Sequence, residues 1–247
     1  MTHFLRLALL ALMLALPRPA RAAAGAATSP APPLNDATAG QALAADLRNA
    51  RPSAGAEFRG SFKLRHSDGS ISNVPVVSRI VLNDKSWQAE YVASQTNWTE
   101  MLVVLHLDGQ PNHYRHAVGL TNALSPCDQP WQPFAGTDFL LADLGLEFFH
   151  WPSQVLVRHE MRKSRACHVL ESRPAVTNAY ARVLSWVDVE TGGLLRAEAY
   201  DAKNERVKVF EVLSFKKAGD QYQLQEMQIL DLKRRSRTLL EFEVPEK

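Results

Sequence analysis

The sequence predicts a mainly β (α+β) fold, an incomplete antiparallel β-barrel of about eleven strands closed by two or three short helices. Long stretches on both sides of the middle of the chain alternate apolar and polar residues with a period of two. The links between them are short and carry Gly, Asn or Asp, which suits antiparallel hairpins and is too short for parallel crossovers. One helix-like stretch separates the two runs.

The first residues have the features of a secretory signal peptide. Arg6 provides the positive start, residues 7–16 are apolar, and Ala20-Arg21-Ala22 is a small-x-small cleavage site. We therefore expect a signal peptide at 1–22, a flexible leader rich in Ala and Pro at 23–35, and one domain at 36–247. The apolar run is too short to span a bilayer. Because no cysteine lies at the cleavage junction, we expect a soluble exported protein without a lipid anchor.

Charge and cysteine content limit the possible partners. The chain has 28 Lys and Arg against 26 Asp and Glu, and loss of the signal peptide leaves 25 against 26. The resulting formal balance of −1 gives no positive field, so we expect no nucleic acid partner. Cys127 and Cys167 either form one disulfide in an oxidising compartment or remain two separately buried thiols.

The helical signals fall at two places. Asn35 or Asp36 can cap an amphipathic helix that ends before Pro52. In residues 133–152, which we name the plug segment, Thr137 or Asp138 can cap a second helix that Pro152 ends. Apolar residues recur in the plug segment at offsets of three and four, at Leu140, Leu141, Leu144, Phe148 and Phe149. We expect this helix to insert into the concave face of the surrounding strands.

The strands follow from the alternation of apolar and polar residues. Four precede the plug segment and seven follow it: Phe58–Arg65, Val74–Leu82, Trp87–Ala93, Trp98–Leu107, Val155–Met161, Cys167–Ser172, Tyr180–Val189, Leu194–Tyr200, Val207–Phe215, Tyr222–Leu232 and Thr238–Val244.

A curled sheet with few helices to cover it can keep an apolar cavity. A fully packed core is the alternative, because protein interiors usually pack densely. The side chains expected to face inward, as cavity lining or as ordinary core, are Phe58, Phe62, Leu64, Val76, Ile80, Leu82, Trp87, Tyr91, Met101, Val103 and Leu105, with Leu144 and Phe148 from the plug segment.

Short matches spaced along residues 57–244 carry a family resemblance. Phe134-Ala135-Gly136-Thr137-Asp138-Phe139 followed by Ala142-Asp143-Leu144, and later Trp186-Val187-Asp188 and Leu195-Arg196-Ala197-Glu198, resemble the bacterial outer membrane lipoprotein-sorting proteins, the LolA/LolB-like group. The resemblance implies a LolA-like half-barrel in the periplasm that holds lipid or lipoprotein acyl chains and sorts them towards the outer membrane. It also implies an inner-membrane exporter and an outer-membrane acceptor as partners, and we expect a monomer.

Two other functions are alternatives to transport. A lipid-sensing regulator of envelope stress would use the same cavity and signal through a protein partner. An enzyme would need poised acid and base groups on the concave face, and the inward residues include no carboxylate. We expect no enzyme activity, no catalytic residue and no cofactor.

Two charged or titratable clusters have simple explanations. His106, His113 and His116 straddle a turn and are expected to be solvated, with no metal. Lys233-Arg234-Arg235 and Arg237 are a solvated strand end or a basic rim for lipid headgroups or an acidic partner.

Overall fold

The computed structural model describes residues 34–119, 123–218 and 221–243. The predicted signal peptide at 1–22 lies outside the described residues, as does the leader from 23 to 33. Among the helices of the described residues, none combines the length and the apolar character needed to cross a bilayer.

The described strands form one antiparallel sheet that does not close, which confirms the fold class. They are β1 (Ala56–Arg65), β2 (Ile71–Leu82), β3 (Ser86–Gln95), β4 (Trp98–Leu107), β5 (His113–Val118), β6 (Ser125–Pro126), β7 (Ser153–Arg162), β8 (Arg165–Arg173), β9 (Arg182–Asp188), β10 (Leu194–Tyr200), β11 (Arg206–Ala218), β12 (Gln221–Asp231) and β13 (Ser236–Phe242). Their spatial order is β6-β5-β4-β3-β2-β1-β13-β12-β11-β10-β9-β8-β7, so the pairing of β1 with β13 joins the two halves.

The sheet has two strands more than the sequence predicts. All eleven predicted strands are found, and β5 and β6 are additional. The short β5 was overlooked because His113, Arg115 and His116 outweigh its buried Tyr114 and Ala117. Alternation is hard to recognise when so few positions are apolar.

The first helix, α1 (Ala37–Arg48), forms where it was predicted and covers the free edge of β7. The Asp36 carboxylate caps it by accepting a hydrogen bond from the Ala39 N–H at 2.9 Å. Asp36 also exchanges two backbone hydrogen bonds with Leu156, at 2.9 and 3.0 Å. Gly40 allows this close approach, because a Cβ there would overlap the backbone of Gln154.

The plug segment does not form the single helix that was expected. It contains a four-residue helix α2 (Leu141–Leu144) and a 3-10 helix at Glu147–His150. Leu146 between them adopts a left-handed backbone conformation with a φ of 51°, which ends the helical path. The expected cap at Thr137 or Asp138 is also wrong, because Leu140 occupies the N-cap position of α2 and its N–H donates to Asp143 at 2.9 Å.

The two cysteines lie on opposite faces of the sheet, so they do not form the possible disulfide. Cys127 packs at the margin of the main core. Cys167 is fully buried in a second apolar cluster on the outer face, together with Val169, Leu184 and Trp186. The alternative of two separate thiols therefore holds.

Candidate functional site

The apolar inner face of the sheet wraps around the plug segment. Leu146 lines one cleft with Trp87 of β3 and another with Ala197 of β10. These strands are six places apart in the sheet, a separation of roughly 29 Å if the sheet were flat. One leucine side chain cannot span that distance, so the sheet curves around it and the inner face is concave.

Eight of the predicted inward side chains lie on this concave face. Phe62 shows the packing, with its ring centroid 6.0 Å from that of Phe134 and 5.6 Å from that of Phe139. Phe58 and Leu82 lie partly buried against the core, and the other six are buried: Phe62, Leu64, Val76, Ile80, Trp87 and Tyr91. Contact of these residues with a ligand stays a prediction.

The predicted orientation of β4 is wrong, so Met101, Val103 and Leu105 face outward. The register pairs Leu102 with the inward Tyr91, and both residues are part of the core. Val104 likewise faces inward opposite Ala89. Residues 101–105 are all apolar, so their sequence has no alternation that could assign a face, and an error of one residue reverses every side chain.

The side chains of the plug segment fill the concave face. Phe134, Phe139 and Leu141 are completely buried. The two plug residues predicted to face the sheet, Leu144 and Phe148, are 2% and 6% exposed and belong to the main core. The segment therefore provides much of the packing under the sheet.

The expected hollow is replaced by two small clefts, one on each side of Leu146. Each has a volume of about 20 Å³. Ligand pockets usually measure about 300–1,000 Å³, so neither cleft holds an alkyl chain as it stands. The prediction of a preformed cavity is therefore wrong for the described residues, and the packed-core alternative describes them better.

The first half of the plug segment is held by a buried carboxylate. Asp138 is fully buried and accepts hydrogen bonds from the hydroxyls of Ser236 at 2.6 Å and Thr238 at 2.9 Å. Its backbone oxygen accepts from Lys208 at 2.5 Å. Arg234 lies 3.4 Å from the carboxylate. Asp138 thus ties the plug segment to β13 and β11.

Two further carboxylates hold the helical turns. Asp143 accepts a hydrogen bond from the Tyr180 hydroxyl at 2.9 Å, and Glu147 accepts one from the Tyr114 hydroxyl at 2.9 Å. Burial, reinforced by these carboxylates, raises the pKa of both tyrosines well above the ordinary value. Burial also raises the pKa of Glu147. Sequence patterns do not reveal this network, because its hydrogen-bonded partners are 33 or more residues apart.

Two of the histidines lie in the cleft beneath α1. His106 stacks on Trp87 with ring centroids 3.7 Å apart, and His150 lines the same cleft beside Arg48. Burial lowers the pKa of His106 to about 3, and burial with the nearby Arg48 charge lowers that of His150 to about 4. Both rings are therefore neutral near pH 7, and the prediction that His106 is solvated is wrong.

The inner face presents mainly apolar side chains. The three carboxylates of the plug segment accept hydrogen bonds from hydroxyl and amide donors of the protein itself. In the described ranges, no group of three or more His, Cys, Asp or Glu side chains is arranged to hold a metal ion. His116 pairs instead with Glu100 at 2.9 Å.

Comparisons with known proteins support a common fold. A family model described as an uncharacterized protein matches residues 103–246. A protein from Vibrio parahaemolyticus that is described as an outer membrane lipoprotein-sorting protein domain superimposes with a TM-score of 0.69 at 17% identity. A DUF1329 family protein from Desulfovibrio piger gives 0.68 at 16%, and a LolA superfamily protein from Nitrosomonas europaea gives 0.58 at 15%. Each of the three comparisons covers 85% of this chain and 92% of the other. The search of curated proteins finds no match.

Proposed function

Because the chain belongs to the uncharacterized-protein family matched at residues 103–246 and has the LolA-like fold, we propose that it is a carrier of lipid or lipoprotein acyl chains. It acts in the periplasm after removal of residues 1–22 and passes its cargo towards the outer membrane. An inner-membrane exporter supplies the cargo and an outer-membrane acceptor receives it. The role is not enzymatic, since the plug carboxylates serve as structural anchors.

The observation that carries this proposal is the pair of clefts that meet at Leu146. One cleft contains Trp87, Leu144 and Phe149, and the other contains Phe148 and Ala197. Movement of residues 145–150 away from the sheet would merge the two clefts into one apolar channel. Each acyl methylene buried there would contribute about 0.8 kcal/mol of transfer free energy.

The backbone of the same turn favours such movement. Leu146 has a φ of 51°, which costs a non-glycine residue about 1–2 kcal/mol. This cost raises the free energy of the closed turn, so a conformation in which Leu146 has a negative φ lies closer to it in free energy. Residues 145–150 are therefore the part of the plug segment that we expect to open, and opening would break the hydrogen bonds that Glu147 accepts from Tyr114 and Asn112.

The first test is identification of lipid bound to the mature protein. We expect mass spectrometry of protein purified from its native host to find acyl-bearing species in near-stoichiometric amounts. The delipidated protein should then bind a fluorescent fatty acid. Absence of lipid together with absence of fatty acid binding would refute the carrier function.

A variant that fills one cleft tests the location of the site. Ala197→Phe places a ring in the cleft beside Leu146 and removes room for about two methylenes, so fatty acid affinity should fall roughly tenfold. Ala166→Phe, at an exposed position of β8, is the matched control and should bind normally. If Ala197→Phe remains folded by circular dichroism and binds with unchanged affinity, the clefts are not the site.

A further inference from the structure

A cluster of arginines lies at one end of the sheet and shares no lining residue with the two clefts. Because β1 pairs with β13, the turn that follows β1 lies beside the turn that precedes β13. One open cleft of about 470 Å³ is lined by Arg65 at the end of β1 with His66 after it, and by Arg235 just before β13 with Arg237 near its start. We name these four residues the basic end.

The arginines of the basic end form no ion pair with the part of the chain that the structure describes. Arg65 and Arg237 occupy directly opposed positions on neighbouring strands. Like charges in opposed positions of an antiparallel pair destabilise it. Neither arginine, nor Arg235, forms an ion pair or a side-chain hydrogen bond with a described residue. A bound anion would relieve this repulsion.

The acidic side chains nearby already have partners. Asp68 accepts hydrogen bonds from the backbone and hydroxyl of Ser70. Asp231 accepts from the backbone amides of Lys233 and Arg234 and so shapes its own turn. The Lys233 ammonium is paired with Asp201 at 2.7 Å. The neutral donors leave the carboxylates of Asp68 and Asp231 charged, but neither carboxylate forms an ion pair with an arginine of the basic end, and the three arginines outnumber the two carboxylates.

Exposed aliphatic side chains accompany the arginines. Ile71 lies opposite Arg65 at the start of β2 and is 72% exposed. Leu232, which lines the cleft of the basic end, is 42% exposed. Basic residues beside projecting aliphatic ones are typical of surfaces that lie in the headgroup region of a bilayer. A soluble anion or an acidic protein would account for the arginines but gives no role to Ile71.

We propose that the basic end docks on the anionic surface of a phospholipid bilayer. The guanidinium groups of Arg65, Arg235 and Arg237 bind lipid phosphates, and Ile71 and Leu232 enter the interface between headgroups and acyl chains. The proposal does not depend on acyl transport, since no residue of the basic end lines either cleft beside Leu146. The Ala197→Phe variant should therefore bind vesicles as the parent protein does.

The test is sedimentation of the mature protein with lipid vesicles. We expect binding to vesicles of equimolar phosphatidylethanolamine and phosphatidylglycerol, weakened by salt, and little binding to phosphatidylcholine alone. Arg65→Gln/Arg237→Gln should reduce the affinity for the anionic vesicles roughly 30-fold. The control, Lys85→Gln/Lys163→Gln, removes the same charge at the opposite end of the sheet. It should change the affinity for the anionic vesicles less than about twofold.

The aliphatic residues are tested separately. Ile71→Ser/Leu232→Ser should weaken vesicle binding but leave its salt dependence unchanged. The variant loses only the insertion of apolar side chains into the bilayer interface and keeps the arginines. The proposal is overturned if the parent protein does not bind anionic vesicles. It is also overturned if the two charge-matched double variants, both folded by circular dichroism, bind equally well. In either case the partner of the arginines would be a soluble anion or a protein, and not a bilayer.

Discussion

Replacement of Asp138 by alanine should destabilise the protein more than any surface change. The variant leaves the Ser236 and Thr238 hydroxyls without their buried acceptor. A hydrogen bond to a charged group contributes about 1.5–3 kcal/mol, so the two bonds together contribute ~3–6 kcal/mol. Arg234 adds little, since its side chain is 46% exposed and solvent screens its charge. We expect the free energy of unfolding to fall by about 3–5 kcal/mol.

Urea denaturation followed by tryptophan fluorescence measures this change. For a protein of this size, each kcal/mol corresponds to about 2–4 °C, so Tm should fall by about 6–20 °C. Asp128→Ala removes the same charge from an exposed position and should change the free energy of unfolding by less than about 0.5 kcal/mol. A loss of less than about 1 kcal/mol for Asp138→Ala would refute the role of this carboxylate as an anchor.

Two further predictions concern the turn at residues 145–150. Because the pKa values of His106 and His150 are lowered to about 3 and about 4, the unfolded chain binds more protons below about pH 6.5. The free energy of unfolding should therefore fall by ~2 kcal/mol per histidine between about pH 6.5 and pH 5. Urea denaturation of His106→Gln/His150→Gln should show a flatter dependence of this free energy on pH. An unchanged pH dependence would contradict the burial of both rings. Gly145→Ala should lower the free energy of unfolding by about 1–3 kcal/mol, because the added Cβ overlaps the Tyr114 hydroxyl. In a double-mutant cycle, Tyr114→Phe combined with Gly145→Ala should recover part of this stability. Strict additivity of the two changes would contradict the overlap.

The sequence predicts strands and faces well where side chains alternate. In β1 the sequence places Phe58, Phe62 and Leu64 on one side and charged residues on the other, and the structure agrees. In β4 the residues 101–105 are uniformly apolar, and only the register with β3 decides that Leu102 faces inward. Periodicity therefore determines a face only when a polar residue marks the opposite one.

The site was less predictable than the fold. The burial of the plug residues Leu144 and Phe148 was predicted correctly. Apolar residues at offsets of three and four indicate a buried face whether the helix is an α-helix or a 3-10 helix. The structural role of Asp138 was expected but its partners were not, because Asp138 meets Ser236 and Thr238 across about a hundred residues. Local patterns assign such a carboxylate to a helix cap, and only tertiary structure shows its distant partners.

A filled concave face is compatible with transport only if cargo exchanges places with side chains. Each methylene that enters contributes about 0.8 kcal/mol, and each apolar group that leaves loses a similar amount, so the net affinity is a small difference. Asp138 and Asp143 fix the preceding part of the plug segment to the sheet, so exchange would be confined to the turn around the strained Leu146, where the hydrogen bond between Glu147 and Tyr114 would have to break. A carrier has to release its cargo to an acceptor. A small net affinity, set by the cost of moving one turn, meets that requirement better than a deep permanent hollow.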